Sequence, residues 1–201
     1  MFKVSIVMSY YNRRAQFLRT LSTIQKTKYK NYEVIVVDDG SLDEHRLEDV
    51  EGINLIRIEP NTKDYINPCI PFNKAIEAAT GDIVILQNPE CLHLGDVVSH
   101  AANNVTDKNY ISYECYSFDQ FLTERLPEKV DEVMMENIKG ILKQLPQVPP
   151  SAGECGWYNH NTIKPTGYHF TSAISKRQLD TLEGFDEKFA HGVGFDDDEF
   201  L

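Results

Sequence analysis

Apolar residues come in short continuous runs separated by stretches of helical spacing, and the two alternate along the first half of the chain. Residues 3–8, KVSIVM, form a β-branched run followed by polar SYYNRR. Phe17, Leu18, Leu21 and Ile24 then recur at the 3.6-residue period of an amphipathic helix. Val34, Ile35, Val36 and Val37 form a second run, broken at once by Asp38, Asp39 and Gly40. A short helix is expected over 42–50, then a third strand in INLIRIEP. A helix from about Pro71 carries Phe72, Ala75, Ile76 and Ala79 on one face and closes at Gly81. A fourth strand follows over 83–86. Strands that are apolar throughout, alternating with amphipathic helices, predict an α/β fold with a mostly parallel sheet covered on both faces.

The regularity loosens afterwards. A helix is expected over 95–105 and a strand in NYISYECYSF. A longer amphipathic helix is expected over 128–145, with Val130, Val133, Met134, Ile138, Ile141, Leu142 and Leu145 on its apolar side. PQVPPSAGECGWYNHN, rich in Pro and Gly, reads as a loop that holds the only tryptophan, Trp157, together with His160. The strand YHFTSAISK and the acidic segment GFDDDEF complete the chain.

With 201 residues, 41% of them hydrophobic, the chain has enough apolar material for one sizeable core, which predicts one domain over 1–201. Its 31 acidic against 20 basic residues give a net charge of -11, which would repel a phosphate backbone, and nucleic acid is not an expected partner. No run approaches the roughly 18 apolar residues of a membrane span, and the amino terminus lacks the pattern of a signal peptide, so a cytoplasmic location is expected. Cys69, Cys91, Cys115 and Cys155 show no CxxC spacing and read as free thiols.

In an open parallel sheet, ligands bind beyond the carboxyl ends of the strands. Polar clusters stand at those ends: SYYNR after the first strand, DDGS after the second and QNPE after the fourth. Each alone is explained by turn and cap chemistry. Together with the acidic loop over 196–199 they predict one edge gathering carboxylates, which repel one another unless a cation or a donor-rich ligand lies between them.

VSIVMSYYNR, YEVIVVDDGSLD, NKAIEAATGDIVILQNPE and AISKRQLDTLEGFDEKFAHGVGFDDDEF resemble, in order and spacing, the GT-A fold glycosyltransferases, most closely glycosyltransferase family 2. The resemblance covers the chain apart from roughly residues 107 to 165. It implies a nucleotide-binding half over 1–106 and an acceptor-side half over 107–201 of one catalytic domain; the stop at Leu201, directly after the acidic loop, leads to the expectation that this domain belongs to a longer protein. It also implies a nucleotide-sugar donor, UDP-sugar favoured, held by Ser9, Tyr11 and Asp39, and an inverting transfer to a glycan, lipid-linked or protein hydroxyl. The family's Asp-x-Asp motif falls on Asn88, Pro89 and Glu90, so Asn88 is a nucleotide-side candidate and Glu90 the ligand for Mn²⁺ or Mg²⁺. One carboxylate has become a neutral amide, which lowers the expected metal affinity and opens metal-free binding. The closing motif puts Asp197 at the position of the general base, with Asp196 beside it. Trp157, His160 and His191 are the acceptor-side candidates, Trp157 because aromatic planes suit the C–H faces of sugars.

Two other readings compete. A sugar-nucleotide pyrophosphorylase would need a Gly-rich basic loop after the first strand, and SYYNRR has no glycine. A catalytically degenerate sugar-nucleotide or glycan-binding domain is suggested by Asn88.

Overall fold

The computed structural model describes residues 1–194. Strand β1 (Val4–Tyr10) lies at the middle of a six-stranded sheet, between β2 (Tyr32–Asp38) and β4 (Ile83–Gln87), and β3 (Asn54–Arg57) forms the edge beyond β2. These four strands are parallel, with Val4 opposite both Tyr32 and Ile83. Beyond β4 the direction reverses: β8 (Thr171–Ser175) runs antiparallel to β4, pairing Ser175 with Ile83, and the two-residue β5 (Ile111–Ser112) pairs antiparallel with β8.

The continuous apolar runs are explained by cover on both faces. Val4, Ile6, Met8, Val34, Val36, Ile83 and Ile85 point to one side. There they pack with Phe17, Leu21 and Ile24 of α1 (Arg14–Ile24) and with Val98 and Ala101 of α3 (Val97–Asn104). The alternate residues Val7, Ile35, Val37, Val84 and Leu86 meet Phe72, Ala75 and Ile76 of α2 (Cys69–Ala78) and Leu179 of α6 (Lys176–Thr181). A strand with period-two alternation would leave one of these layers without a partner. Gly81, before β4, allows close approach: a Cβ there would lie 2.7 Å from the backbone oxygen of Lys3 and the backbone nitrogen of Ser5.

After β5 the chain leaves the main sheet, and residues 113–165 form a lateral cap. β6 (Cys115–Ser117) pairs antiparallel with β7 (Gly156–Asn159), and α4 (Gln120–Arg125) and α5 (Glu132–Leu142) lie between them in the chain. Arg19 Nε donates to the carbonyl of Pro127 and Ser22 Oγ accepts from the Val130 amide, so the cap is tied to α1.

Four expectations are corrected. The helix over 42–50 is only a 3-10 turn at Asp43–His45, because Leu47 is the one fully buried apolar side chain there and a single anchor does not hold two helical turns. NYISYECYSF is two strands in different sheets: Asn159 Nδ2 donates to Ser112 Oγ and to the Tyr113 carbonyl, and after this point the chain leaves β8 for β7. Trp157 stands on β7 and not in a loop. The helix over 128–145 is shorter, Glu132–Leu142, begun by Asp131 accepting from the Met134 amide; Val130 is buried but precedes it, and within it Ile138 is buried while Val133 and Ile141 are exposed. No helix of the described residues is long and apolar enough to cross a membrane.

Candidate active site

The turns after β1 and β2 are stitched into one rim. Asn12, at φ 51°, donates its amide to Ser41 Oγ (3.0 Å), and its side-chain oxygen accepts from the Leu42 amide (2.9 Å). Asp38 is fully buried: one oxygen accepts from the Ser41 amide (2.8 Å) and the other from Arg57 (2.6 Å). Gly40, at φ 80°, turns the chain where a Cβ would lie 3.3 Å from Pro60. Of the two aspartates in VDDGS, Asp38 therefore builds the turn.

Asp39 faces a different set of groups. Tyr65 donates its hydroxyl to Asp39 Oδ1 (2.6 Å), and Lys63 forms an ion pair with Oδ2. The Lys63 ammonium also stands 4.9 Å from the centre of the Tyr11 ring and 5.3 Å from that of Tyr65. Burial, with the Asp39 carboxylate beside it, pushes the Tyr65 phenol well above its ordinary range. Tyr11 is 49% exposed with Lys63 over its ring, and Lys63 links it to Asp39, which is 6% exposed and holds one donor on each oxygen while retaining lone pairs for another. Ser9 is partly buried on β1, opposite Val37. Lys63 and Tyr65 were missed from the sequence, although a basic and an aromatic residue soon after the third strand, in NTKDY, are the kind of signal that could have found them.

After β4, Asn88 donates its amide to the Phe170 carbonyl (2.9 Å) and accepts from the Cys91 amide (3.2 Å), a turn that brings Glu90 to the rim. Glu90 forms an ion pair with Arg13 from the loop after β1. Buried Gln87 and His93 brace this segment: His93 Nε2 donates to Gln87 Oε1 (2.7 Å), the tautomer set by Gln87 Nε2 donating to the Cys91 carbonyl (2.9 Å). Burial lowers the His93 imidazole to about 4, so it stays neutral near pH 7.

These residues do not fit a divalent cation by themselves. Hard cations need several oxygen donors with enough negative charge. Here Asn88 is neutral and the Glu90 carboxylate is already matched by a guanidinium. Among the described residues no three His, Cys, Asp or Glu side chains gather in a metal-binding group.

Arg13, Asn88, Glu90, His93 and Trp157 line one groove of about 1150 Å³ between the sheet edge and the cap. Trp157 is held by Nε1 donating to Gln147 (3.0 Å) and by an edge contact with Tyr116 (4.9 Å between ring centres). His160 packs against Trp157 at 4.5 Å, and its Nδ1 accepts from the Thr162 amide (3.1 Å). His191 is exposed. Tyr11, Asp39, His160 and His191 do not line this groove. Cys91 and Cys115 both do; the Cys115 thiol beside it, together with burial, pushes the Cys91 thiol up, and none of the four cysteines is in a disulfide.

Asp196 and Asp197 lie outside the described residues. The segment leading to them is clamped by Asn73, whose Oδ1 accepts from the Phe185 amide (2.8 Å) and whose Nδ2 donates to the Phe185 carbonyl (2.9 Å) and to Glu187 (3.0 Å).

Residues 5–165 match the sequence profile described as Glycosyl transferase family 2. The chain belongs to glycosyltransferase family 2. Among its curated relatives, the amylovoran biosynthesis glycosyltransferase AmsB of Erwinia amylovora is 34% identical over 86 residues, which is 40% of this chain and 28% of that protein. The poly(ribitol-phosphate) β-N-acetylglucosaminyltransferase TarP of Staphylococcus aureus is 29% identical over 113 residues, 52% of this chain and 35% of that protein. Among solved structures, the mannosyltransferase PcManGT of Pyrobaculum calidifontis, in complex with GDP-Man and Mn²⁺, superposes with a TM-score of 0.59 at 18% identity. The superposition covers 98% of this chain and 50% of that one. S. aureus TarS 1–349 in complex with UDP superposes with a TM-score of 0.56 at 15% identity, over 98% of this chain and 53% of that one. These likenesses establish the GT-A fold for the family 2 member. The chain spans about half the length of these solved structures and 28% to 35% of these two curated relatives.

Proposed function

We propose that this family 2 member is the catalytic domain of an inverting glycosyltransferase that moves a sugar from a UDP-sugar to a hydroxyl acceptor. The observation that carries the reading is the Asp39 site, where an accepting carboxylate and the open ring of Tyr11 share one rim at the carboxyl edge of a parallel sheet. Tyr11 offers a stacking face and Asp39 accepts from the base N–H or a ribose hydroxyl, with Ser9 beside them on β1. Asn88 contacts the ribose or diphosphate. Structural neighbours were solved with UDP (TarS) and with GDP-Man (PcManGT), which supports a nucleoside-diphosphate sugar, and uracil is the base to be tested first.

In the transfer, the acceptor oxygen bonds to the anomeric carbon while the bond from that carbon to the diphosphate oxygen breaks, and the diphosphate keeps the electron pair. Asp197, with Asp196 beside it, takes the acceptor's proton. A base on one face and a leaving group on the other give inversion in one displacement. The acceptor enters from the groove walled by Trp157, with His160 and His191 on the same half of the chain.

The test is transfer and hydrolysis across a panel of nucleotide sugars, with wild type and Asp197→Asn. UDP-sugars should turn over, and Asp197→Asn should lower turnover by about 100-fold or more with donor affinity retained. Binding without turnover of any donor in the full-length protein would favour the degenerate binding domain instead.

A further inference from the structure

The Arg13–Glu90 pair occupies the place where the resemblance expects a metal-held diphosphate, and its parts are of the wrong kind for that metal. Asn88 carries no charge, which leaves Glu90 as the single carboxylate of the Asn88–Glu90 turn, where a divalent cation needs several anionic oxygens. We infer that Arg13 is the cation that receives the donor's diphosphate, in place of a divalent metal, an inference that rests on the nucleotide-sugar reading above.

Arg13 is well placed for this. It follows Asn12, which is stitched to Ser41 and Leu42, so its backbone is held against the rim that carries Asp39. Its side chain reaches across 77 residues of sequence to Glu90 and lines the same groove as Asn88. A guanidinium matches two phosphate oxygens at once, and it keeps its charge at any working pH.

The present partner is easily exchanged. The Arg13 side chain is 52% exposed and that of Glu90 is 35% exposed, and ion pairs this open to water contribute little. A diphosphate arriving at the rim is a stronger competitor than one carboxylate, because it brings more charge and more acceptor oxygens to the same guanidinium. Glu90 then turns toward water, where it is already partly exposed. Glu90 thus acts as a place-holder that keeps Arg13 aimed at the rim while the site has no donor. When the anomeric carbon–oxygen bond breaks, the pair of electrons left on the diphosphate adds negative charge beside Arg13, which is therefore positioned to stabilise the leaving group.

Calorimetric titration of wild type, Arg13→Gln and Arg13→Lys with UDP and with uridine, each in EDTA and in Mn²⁺, tests this. Wild type should bind UDP in EDTA within about three-fold of its affinity in Mn²⁺. Arg13→Gln should weaken UDP in EDTA by about ten-fold or more, leave uridine within about two-fold, and melt as wild type does. Arg13→Lys should recover part of the loss, since it keeps the charge without the fork. UDP affinity in EDTA unchanged by Arg13→Gln, or wild-type UDP binding that appears only with Mn²⁺, overturns the inference while leaving the donor reading intact. Failure of wild type to bind either uridine or UDP in both conditions removes the donor reading and this inference with it.

Discussion

Two adjacent carboxylates show how much one residue of spacing decides. Asp38 is fully buried with Arg57 and the Ser41 amide, while Asp39 meets Tyr65 and Lys63 on the rim. Removing the charge of Asp38 leaves Arg57 poorly matched in a nearly water-free turn, so Asp38→Asn should cost about 3–5 kcal/mol of stability. Asp39→Asn disturbs a pair that is also largely buried but whose lysine is 23% exposed. It should cost the fold less but weaken uridine binding by about ten-fold, because the accepting carboxylate becomes an amide that also donates. Thermal melts and uridine titrations of both variants separate these roles; a stable Asp38→Asn protein, or full uridine affinity in Asp39→Asn, would contradict the assignment. The family resemblance singles out Asp39, but the residue pattern alone does not tell the two aspartates apart, because the distinction lies in Arg57 and Lys63, which come from beyond the next turn.

The segment between β4 and α3 depends on one neutral imidazole. His93 is buried against Gln87 and its backbone amide donates to Thr23 Oγ1 on α1 (3.0 Å), so it fixes the turn that carries Asn88 and Glu90. Its folded value, about 4, lies below the ordinary 6.5. Above pH 6.5 the ring is neutral in both states and its stabilisation is complete. From pH 6.5 down to about 4 the unfolded chain takes up a proton that the folded protein refuses, so stability falls by roughly 3 kcal/mol in total. Asp96 and Glu33, held near 2 by hydrogen bonds that outweigh their burial, act only at lower pH, between their ordinary carboxylate values and 2. Melting temperature plotted against pH should therefore slope between pH 6.5 and 5 in wild type and flatten in His93→Gln; equal slopes would show that another group controls this range. At this scale the parallel core was legible, since β1, β2 and β4 are apolar throughout and their helices carry clear apolar stripes. The cap was not. Short strands such as β6 and β7 take their identity from partners about 40 residues away, and Pro and Gly around Trp157 pointed to a loop where Gly156 in fact allows close approach, with a Cβ there lying 2.6 Å from Pro150.

For the whole molecule, the fold sets the carboxyl edge of the parallel sheet, with Tyr11 and Asp39, beside a cap that walls the groove. The family profile ends at residue 165, so it spans the parallel strands and the cap and stops short of β8. The rim residues Tyr11 and Asp39 do not line the groove, whereas Asn88, Glu90 and Trp157 do, so in the proposed donor pose the diphosphate end is the meeting point of the two regions. If Trp157 serves the acceptor, its loss must leave reaction with water almost untouched and impair transfer to a sugar hydroxyl. Trp157→Ala should keep donor hydrolysis within about two-fold of wild type and raise the acceptor KM by about three- to ten-fold, the size of an aromatic contact of ~0.5–1.5 kcal/mol. Trp157→Phe should recover most of that loss, because a stacking face remains. A merely structural tryptophan would behave otherwise: its edge contact with Tyr116 and its bond to Gln147 hold the cap together, and losing them would depress hydrolysis and transfer alike and lower the melting temperature. Hydrolysis and transfer that fall in parallel would therefore return Trp157 to the packing of the cap and leave the acceptor wall to be sought on another side of the groove.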